Sequence, residues 1–169
     1  MSYSLSQAAI PVLEIGLNAL SGVLDKAAAF ATAKKLDPAT LPSYRLAPDM
    51  FALARQVQVA CDQAKNGASR LAGVEPPKYE DSEKTIDELK ARIAKTLAFV
   101  QSVGEDKFAG ADSRTVTIPV RGEQKSFNGL VCLNHAVMPN FYFHLATAYD
   151  ILRHNGVPLG KGDFIGPMN

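Results

Sequence analysis

Apolar residues recur along most of the chain at spacings of three and four, the period of a helix with one buried face. The first such stripe runs through Leu13, Leu17, Leu20, Leu24, Ala27 and Ala31, and an alanine-rich run from Ala27 to Ala33 permits close approach of a neighbouring helix. Pro11 suits the start of this helix, where a missing N–H is harmless, or else marks a kink; Pro38 and Pro42 end it. A second stripe follows Asp49, whose carboxylate is suited to capping a helix, and comprises Met50, Leu53, Val57, Cys61, Ala64, Ala68 and Leu71 before Gly73. The third, Ile86, Leu89, Ile93, Leu97 and Val100, follows the candidate caps Asp81 and Ser82. On its outer face Lys84–Glu88 and Glu88–Arg92 read as surface pairs one turn apart.

The period then changes. Thr115 to Val120 alternates at two, Arg121-Gly122 supplies a turn, and Gln124 to Phe127 returns, which predicts a small hairpin with Pro119 confining its strand to an edge. The last helix is expected from about Asn128 to Asn155, bent at Pro139 and stopped by Gly156 and Pro158. A tail rich in Pro and Gly, Gly156 to Asn169, is expected to pack loosely over the body. The whole pattern predicts an all-α protein: an antiparallel four-helix bundle, with a small β-hairpin inserted before the last helix, as a single domain over residues 1–169.

Composition changes this picture little. Hydrophobic residues make up 47% and charged residues 21% of the 169 positions, a soluble globular balance that can bury a core without staples. The formal net charge of +1 comes from 18 basic and 17 acidic residues with no basic stripe, so nothing argues for nucleic acid or an anionic membrane as partner. Cys61 and Cys132 lie far apart, match no zinc spacing, and read as buried hydrophobes in a reducing compartment. No basic segment followed by an apolar run marks a signal peptide, and no apolar run approaches a membrane span. A cytoplasmic location is the expectation.

Candidate chemistry concentrates in the last helix. Projected at about 100° per residue from Phe141, Leu145, Ala148 and Leu152 fall within about 40° and define the core face. His144 lies about 60° and Asn140 about 100° from its centre, on one flank and one turn apart. Phe143 points nearly opposite to the core, with Tyr142 and Tyr149 on the other flank. His135 faces away from His144, and His154 suits a helix C-terminus. On the second helix Gln56 sits at the edge of the core stripe and could face the interior, while Arg55 and Gln58 are expected to reach solvent or the first helix. No Ser–His–Asp ordering, glycine-rich phosphate loop or Cys–His pair at useful spacing appears in the sequence.

Three stretches resemble a known family: Arg45-Leu-Ala-Pro-Asp-Met-Phe-Ala-Leu-Ala-Arg-Gln-Val-Gln58, Leu71-Ala-Gly-Val-Glu-Pro-Pro77, and Pro139-Asn-Phe-Tyr-Phe-His144 continuing through Arg153-His-Asn-Gly-Val-Pro-Leu-Gly160. They are similar to a bacterial family of unknown function within the DinB-like (YfiT-like) superfamily. The resemblance implies a four-helix bundle, commonly a homodimer. In the wider superfamily three histidines bind a divalent metal, one on the second helix and two a turn apart on the last, and some members are thiol-dependent transferases. Here His144 matches the final histidine, Asn140 stands where the preceding one would be, and Gln56 is the counterpart of the histidine on the second helix. With one imidazole surviving of three, affinity for zinc or nickel should be largely lost. The expectation is therefore a homodimer without metal or other cofactor, whose inter-helical pocket is lined by Gln56, Asn140 and His144 and binds a small ligand. The alternative is a divalent-metal-dependent transferase or hydrolase that completes its coordination shell with water and a carboxylate.

Overall fold

A computed structural model describes residues 4–37 and 39–166. Helix α1 (Leu5–Lys34) starts at Ser4, whose hydroxyl accepts from the Gln7 N–H while the Gln7 side chain returns to the Ser4 N–H, and ends where Lys35 turns left-handed. Pro11 lies inside α1, and Pro42 sits in a one-turn helix α2 (Thr40–Ser43); Pro38 falls outside the described residues. Helix α3 (Leu53–Ala72) is preceded by Ala52 rather than capped by Asp49, which is exposed four residues before the helix begins. Helix α4 (Ile86–Ser102) is capped by neither Asp81 nor Ser82. Thr85 and Glu88 form a reciprocal capping box there, two orphan N–H groups satisfied at once.

After a 3₁₀ turn (Glu105–Phe108), strands β1 (Thr115–Val120) and β2 (Glu123–Asn128) pair antiparallel, Val116 opposite Phe127 and Val120 opposite Glu123. Arg121 and Gly122 both take positive φ, 53° and 86°, the geometry a two-residue hairpin turn requires. Asn128 then caps α5 (Gly129–Cys132), which runs through a π-wide segment (Leu133–Val137) into α6 (Met138–His154). Pro139 explains the widening. It has no N–H and its ring would strike the carbonyl one α-turn back, so the ladder shifts and the Met138 N–H reaches Leu133 instead.

The four longest helices close a ring in which α3 packs on α6 and α4, and α1 on α4 and α6. Their shared core contains the predicted stripes: Leu13, Leu17, Leu20 and Leu24 from α1; Leu53, Val57, Cys61 and Ala64 from α3; Leu89 and Ile93 from α4; Phe141, Leu145 and Leu152 from α6. Gly16 lets α1 approach α6, since a Cβ there would stand 2.6 Å from the Phe141 ring. By length and hydropathy α1 could cross a membrane, contrary to the sequence expectation, yet 44% of its most apolar window is buried inside the bundle. A second apolar cluster joins Val116 and Ile118 of the hairpin to Leu5, Leu71, Phe108 and Leu133. The tail is anchored rather than loose: Val157 and Leu159 are buried, and a short helix α7 (Lys161–Ile165) packs on α1. Residues 167–169 lie outside the described residues.

Candidate functional site

Gln56 and His144 meet where the first turn of α3 faces the middle of α6. His144 Nδ1 lies 2.7 Å from Gln56 Oε1, and Gln56 Nε2 donates to the Phe51 carbonyl at 3.1 Å. Gln56 is fully buried at 1% exposure, not a rim glutamine, and His144 retains 8%. These two bonds settle each other. A backbone carbonyl only accepts, so the amide must present its NH₂ to Phe51 and its oxygen to the histidine. Nδ1 must then carry the proton, and Nε2 is left with a bare lone pair. Nε2 has no hydrogen-bond partner among the described residues.

Burial lowers the imidazole pKa below its ordinary value, and the positive charge of Arg55 lowers it further, so His144 is neutral at physiological pH. Asn140 does not join the pair. It is exposed, and its Nδ2 donates at 2.7 Å to the Ala136 carbonyl, within the π-wide segment where the regular ladder is interrupted. His135 and His154 are exposed and distant in sequence position from the pair.

The donor set does not fit the metal that the family resemblance implies. Gln56 Oε1 is engaged by Nδ1–H, Asn140 is bonded to its own helix, and the arrangement offers one imidazole nitrogen. Zinc and nickel need three or four good donors converging on a point. Among the described residues no group of three or more His, Cys, Asp or Glu side chains could hold a metal ion. Cys61 offers no nucleophile either, because burial pushes its thiol up to about 12.

Around the pair the surface is aromatic. Phe143, 56% exposed, sets its ring edge-on to the His144 imidazole at 5.1 Å, and Phe51, 54% exposed, carries the Arg55 guanidinium over its face at 5.8 Å. Tyr142 is exposed on the other flank of α6, where Tyr149 is half-covered by Phe164 of the tail. The tail thus covers one aromatic of α6 and leaves Phe143 open.

Gln58 is buried rather than in solvent, and Arg55 is only part-exposed. Both turn to the connection between α3 and α4: Arg55 pairs with Asp81 and also reaches Gln58 Oε1 at 3.3 Å, and Gln58 Nε2 donates to Glu83 at 2.9 Å. Arg92 is no surface partner of Glu88. It is buried and bound by Asp62 and Asp81 at 3.0 Å each, by Glu83 at 3.1 Å and by the Glu80 carbonyl at 2.9 Å. Its Nε lacks a hydrogen bond, but the guanidinium lies 5.4 Å over the Tyr79 ring, which accepts such a cation on its face. Sequence reasoning missed this network, though a signal existed. Arg92 and Thr96 fall at helical spacing between Leu89 and Val100, inside the apolar stripe, and all four are buried.

Comparisons with known proteins agree with this architecture. The family model described as "Domain of unknown function (DUF1993)" matches residues 5–165. A crystal structure of a DinB family member protein from Shewanella denitrificans superposes with a TM-score of 0.91 at 43% identity, covering 97% of this chain and 93% of that one. A search of curated proteins finds no match. The chain therefore belongs to the DUF1993 family, a DinB-like helical-bundle family of unknown function.

Proposed function

We propose that this DinB-like bundle is a homodimeric, metal-independent small-ligand-binding protein of the cytoplasm, whose recognition centre is the Gln56–His144 pair between α3 and α6. The observation that carries the reading is the relay from the Phe51 carbonyl through Gln56 to His144. It fixes a neutral imidazole in one tautomer and leaves Nε2 as a directional acceptor at the edge of an aromatic surface. Dimerisation is supported by Phe143 and Tyr142, both exposed on one helix of a protein whose tail is already used elsewhere. Buried free thiols at Cys61 and Cys132 suit a reducing compartment.

The test is a thermal-shift screen of small neutral and charged hydrogen-bond donors against the wild type and His144→Phe. A ligand at a hundredfold its dissociation constant stabilises by about 2.7 kcal/mol, which is readily seen. The expected result is a saturable stabilisation of the wild type that His144→Phe lacks. Near-stoichiometric zinc, nickel, iron or manganese in protein purified without a metal-binding tag would instead establish the metal-dependent transferase or hydrolase reading.

A further inference from the structure

We propose that Arg55 is the anion-recognising residue of this site, and that its ligand is a small carboxylic acid bearing a hydroxyl or amino donor and an apolar body. The proposal rests on the ligand-binding reading of Gln56 and His144. Arg55 is anchored at one end only: its Nη1 holds Asp81 and Gln58, while Nε and Nη2 make no hydrogen bond among the described residues. That pair of N–H groups forms the edge of the guanidinium that matches a carboxylate with two parallel bonds. The side chain is 39% exposed, and its Asp81 ion pair and the Phe51 ring beneath it orient the guanidinium.

The site then offers complementary halves. Arg55 and Gln56 are consecutive on α3, the Arg55 guanidinium lies 5.8 Å over the Phe51 ring, and the Phe51 carbonyl accepts from the Gln56 amide that holds His144. One half donates to an anion and the other, Nε2 of His144, accepts from a neutral donor. Phe51, more than half exposed, supplies apolar contact for whatever connects the two. An amine or a sugar would leave the arginine edge unused, and a simple fatty acid would leave Nε2 unused. A hydroxylated or amino-substituted carboxylic acid with a ring or short chain uses all three.

The experiment is an NMR titration of the intact protein with salicylate, para-hydroxybenzoate and para-hydroxyphenylacetate, which step the separation of carboxylate and hydroxyl. Their methyl esters and the acids without the hydroxyl serve as controls. At least one hydroxy acid should give saturable shifts of both the His144 ring and the Arg55 side-chain resonances. Its ester should bind about tenfold or more weakly, as should the acid to Arg55→Gln and Arg55→Lys, because a charge-assisted fork is lost in each case. Arg55→Lys keeps the charge and so guards against misfolding as the cause, checked by unchanged amide dispersion. Esters binding as well as acids, with His144 still perturbed, would overturn the arginine assignment and leave the ligand-binding reading standing. His144 unmoved by every acid and every ester would overturn both.

Discussion

Replacing Gln56 by leucine tests the hydrogen-bonded relay most directly. The side chain is buried, and its amide serves two partners at once: Nδ1–H of His144 at 2.7 Å and the Phe51 carbonyl at 3.1 Å. Leucine is close in size, so it opens no large cavity, but it satisfies neither group. A buried polar group left without its partner costs about 1–3 kcal/mol. The Phe51 carbonyl belongs to an exposed residue just before α3 and can turn to water, so most of the cost falls on the imidazole. Moving the proton to Nε2 does not rescue it, because Nδ1 is then a buried lone pair without a donor. Added apolar contact from leucine offsets part of the loss. The net destabilisation should be about 1–3 kcal/mol, or about 3–8 °C in melting temperature for a chain of this size. Urea unfolding with an unchanged slope would measure it, and nitrogen NMR of the histidine ring would show the Nδ1–H tautomer in the wild type and its loss in the variant. A variant as stable as the wild type, with His144 in the same tautomer, would refute the reasoning, since something other than Gln56 would then hold the ring.

Other consequences can be checked alongside. His144 has its pKa lowered in the folded protein, so the unfolded chain takes up the proton first as pH falls; stability should decline below about pH 6.5 with a slope that His144→Phe lacks. Micromolar Zn²⁺ or Ni²⁺ should give no saturable rise in melting temperature, because one imidazole nitrogen is the donor set; a clear saturable rise with either ion would contradict the fit argument. Gly16→Ala should destabilise by about 1–3 kcal/mol in urea unfolding despite alanine's better helix propensity, since the new Cβ would meet Phe141 and Leu145, both buried and unable to move aside. Light scattering at low micromolar concentration should give roughly twice the 18.1 kDa chain mass, and Phe143→Glu should return it to the monomer value; a wild-type monomer would remove the dimer from the proposed function.

What was legible in the sequence is what depends on period alone. Spacings of three and four placed Leu17, Val57, Ile93 and Phe141 in one core because burial of an apolar stripe needs no partner identity, only a face. The hairpin was legible for the same reason at period two, with Arg121-Gly122 marking the turn. Helix starts are not legible where side chains compete for the same role: Asp49, Asp81 and Ser82 are all good caps, and local geometry chooses Ala52 and Thr85 instead. The packing of the tail is not legible because Val157, Leu159 and Phe164 are too few to show a period, yet each finds an apolar partner in three dimensions. Of the site, Gln56 and His144 were placed together from the family resemblance and the helical projection. Asn140 was grouped with them because it shares their flank. A shared flank fixes direction but not partner, and an exposed asparagine one turn beyond a π-wide segment finds a backbone carbonyl nearer than the imidazole.

The larger omission was the charged network, and it bears on the site. Periodicity treats a charged residue as outward-facing, so Arg92 read as surface, although it is buried at 3% exposure beneath the α3–α4 connection. Burying a guanidinium is tolerable only with its charge matched and its N–H groups used. Asp62 from α3 and Asp81, Glu83 and the Glu80 carbonyl from the connection do this. The connection is thereby drawn onto the bundle, and two of the three acids that bind Arg92 also hold residues of α3: Asp81 takes Arg55 and Glu83 takes Gln58. Arg55 is therefore set in place by a residue whose own position depends on Arg92, on another helix. The anchor of the Arg55 guanidinium therefore lies outside the site. An arginine free to wander would lose several rotamers on binding an anion, whereas one already held through Nη1 loses few, so its open edge costs less to use. The buried charges, which add little to stability by themselves, contribute by fixing the geometry of Arg55, the residue that precedes Gln56 on α3.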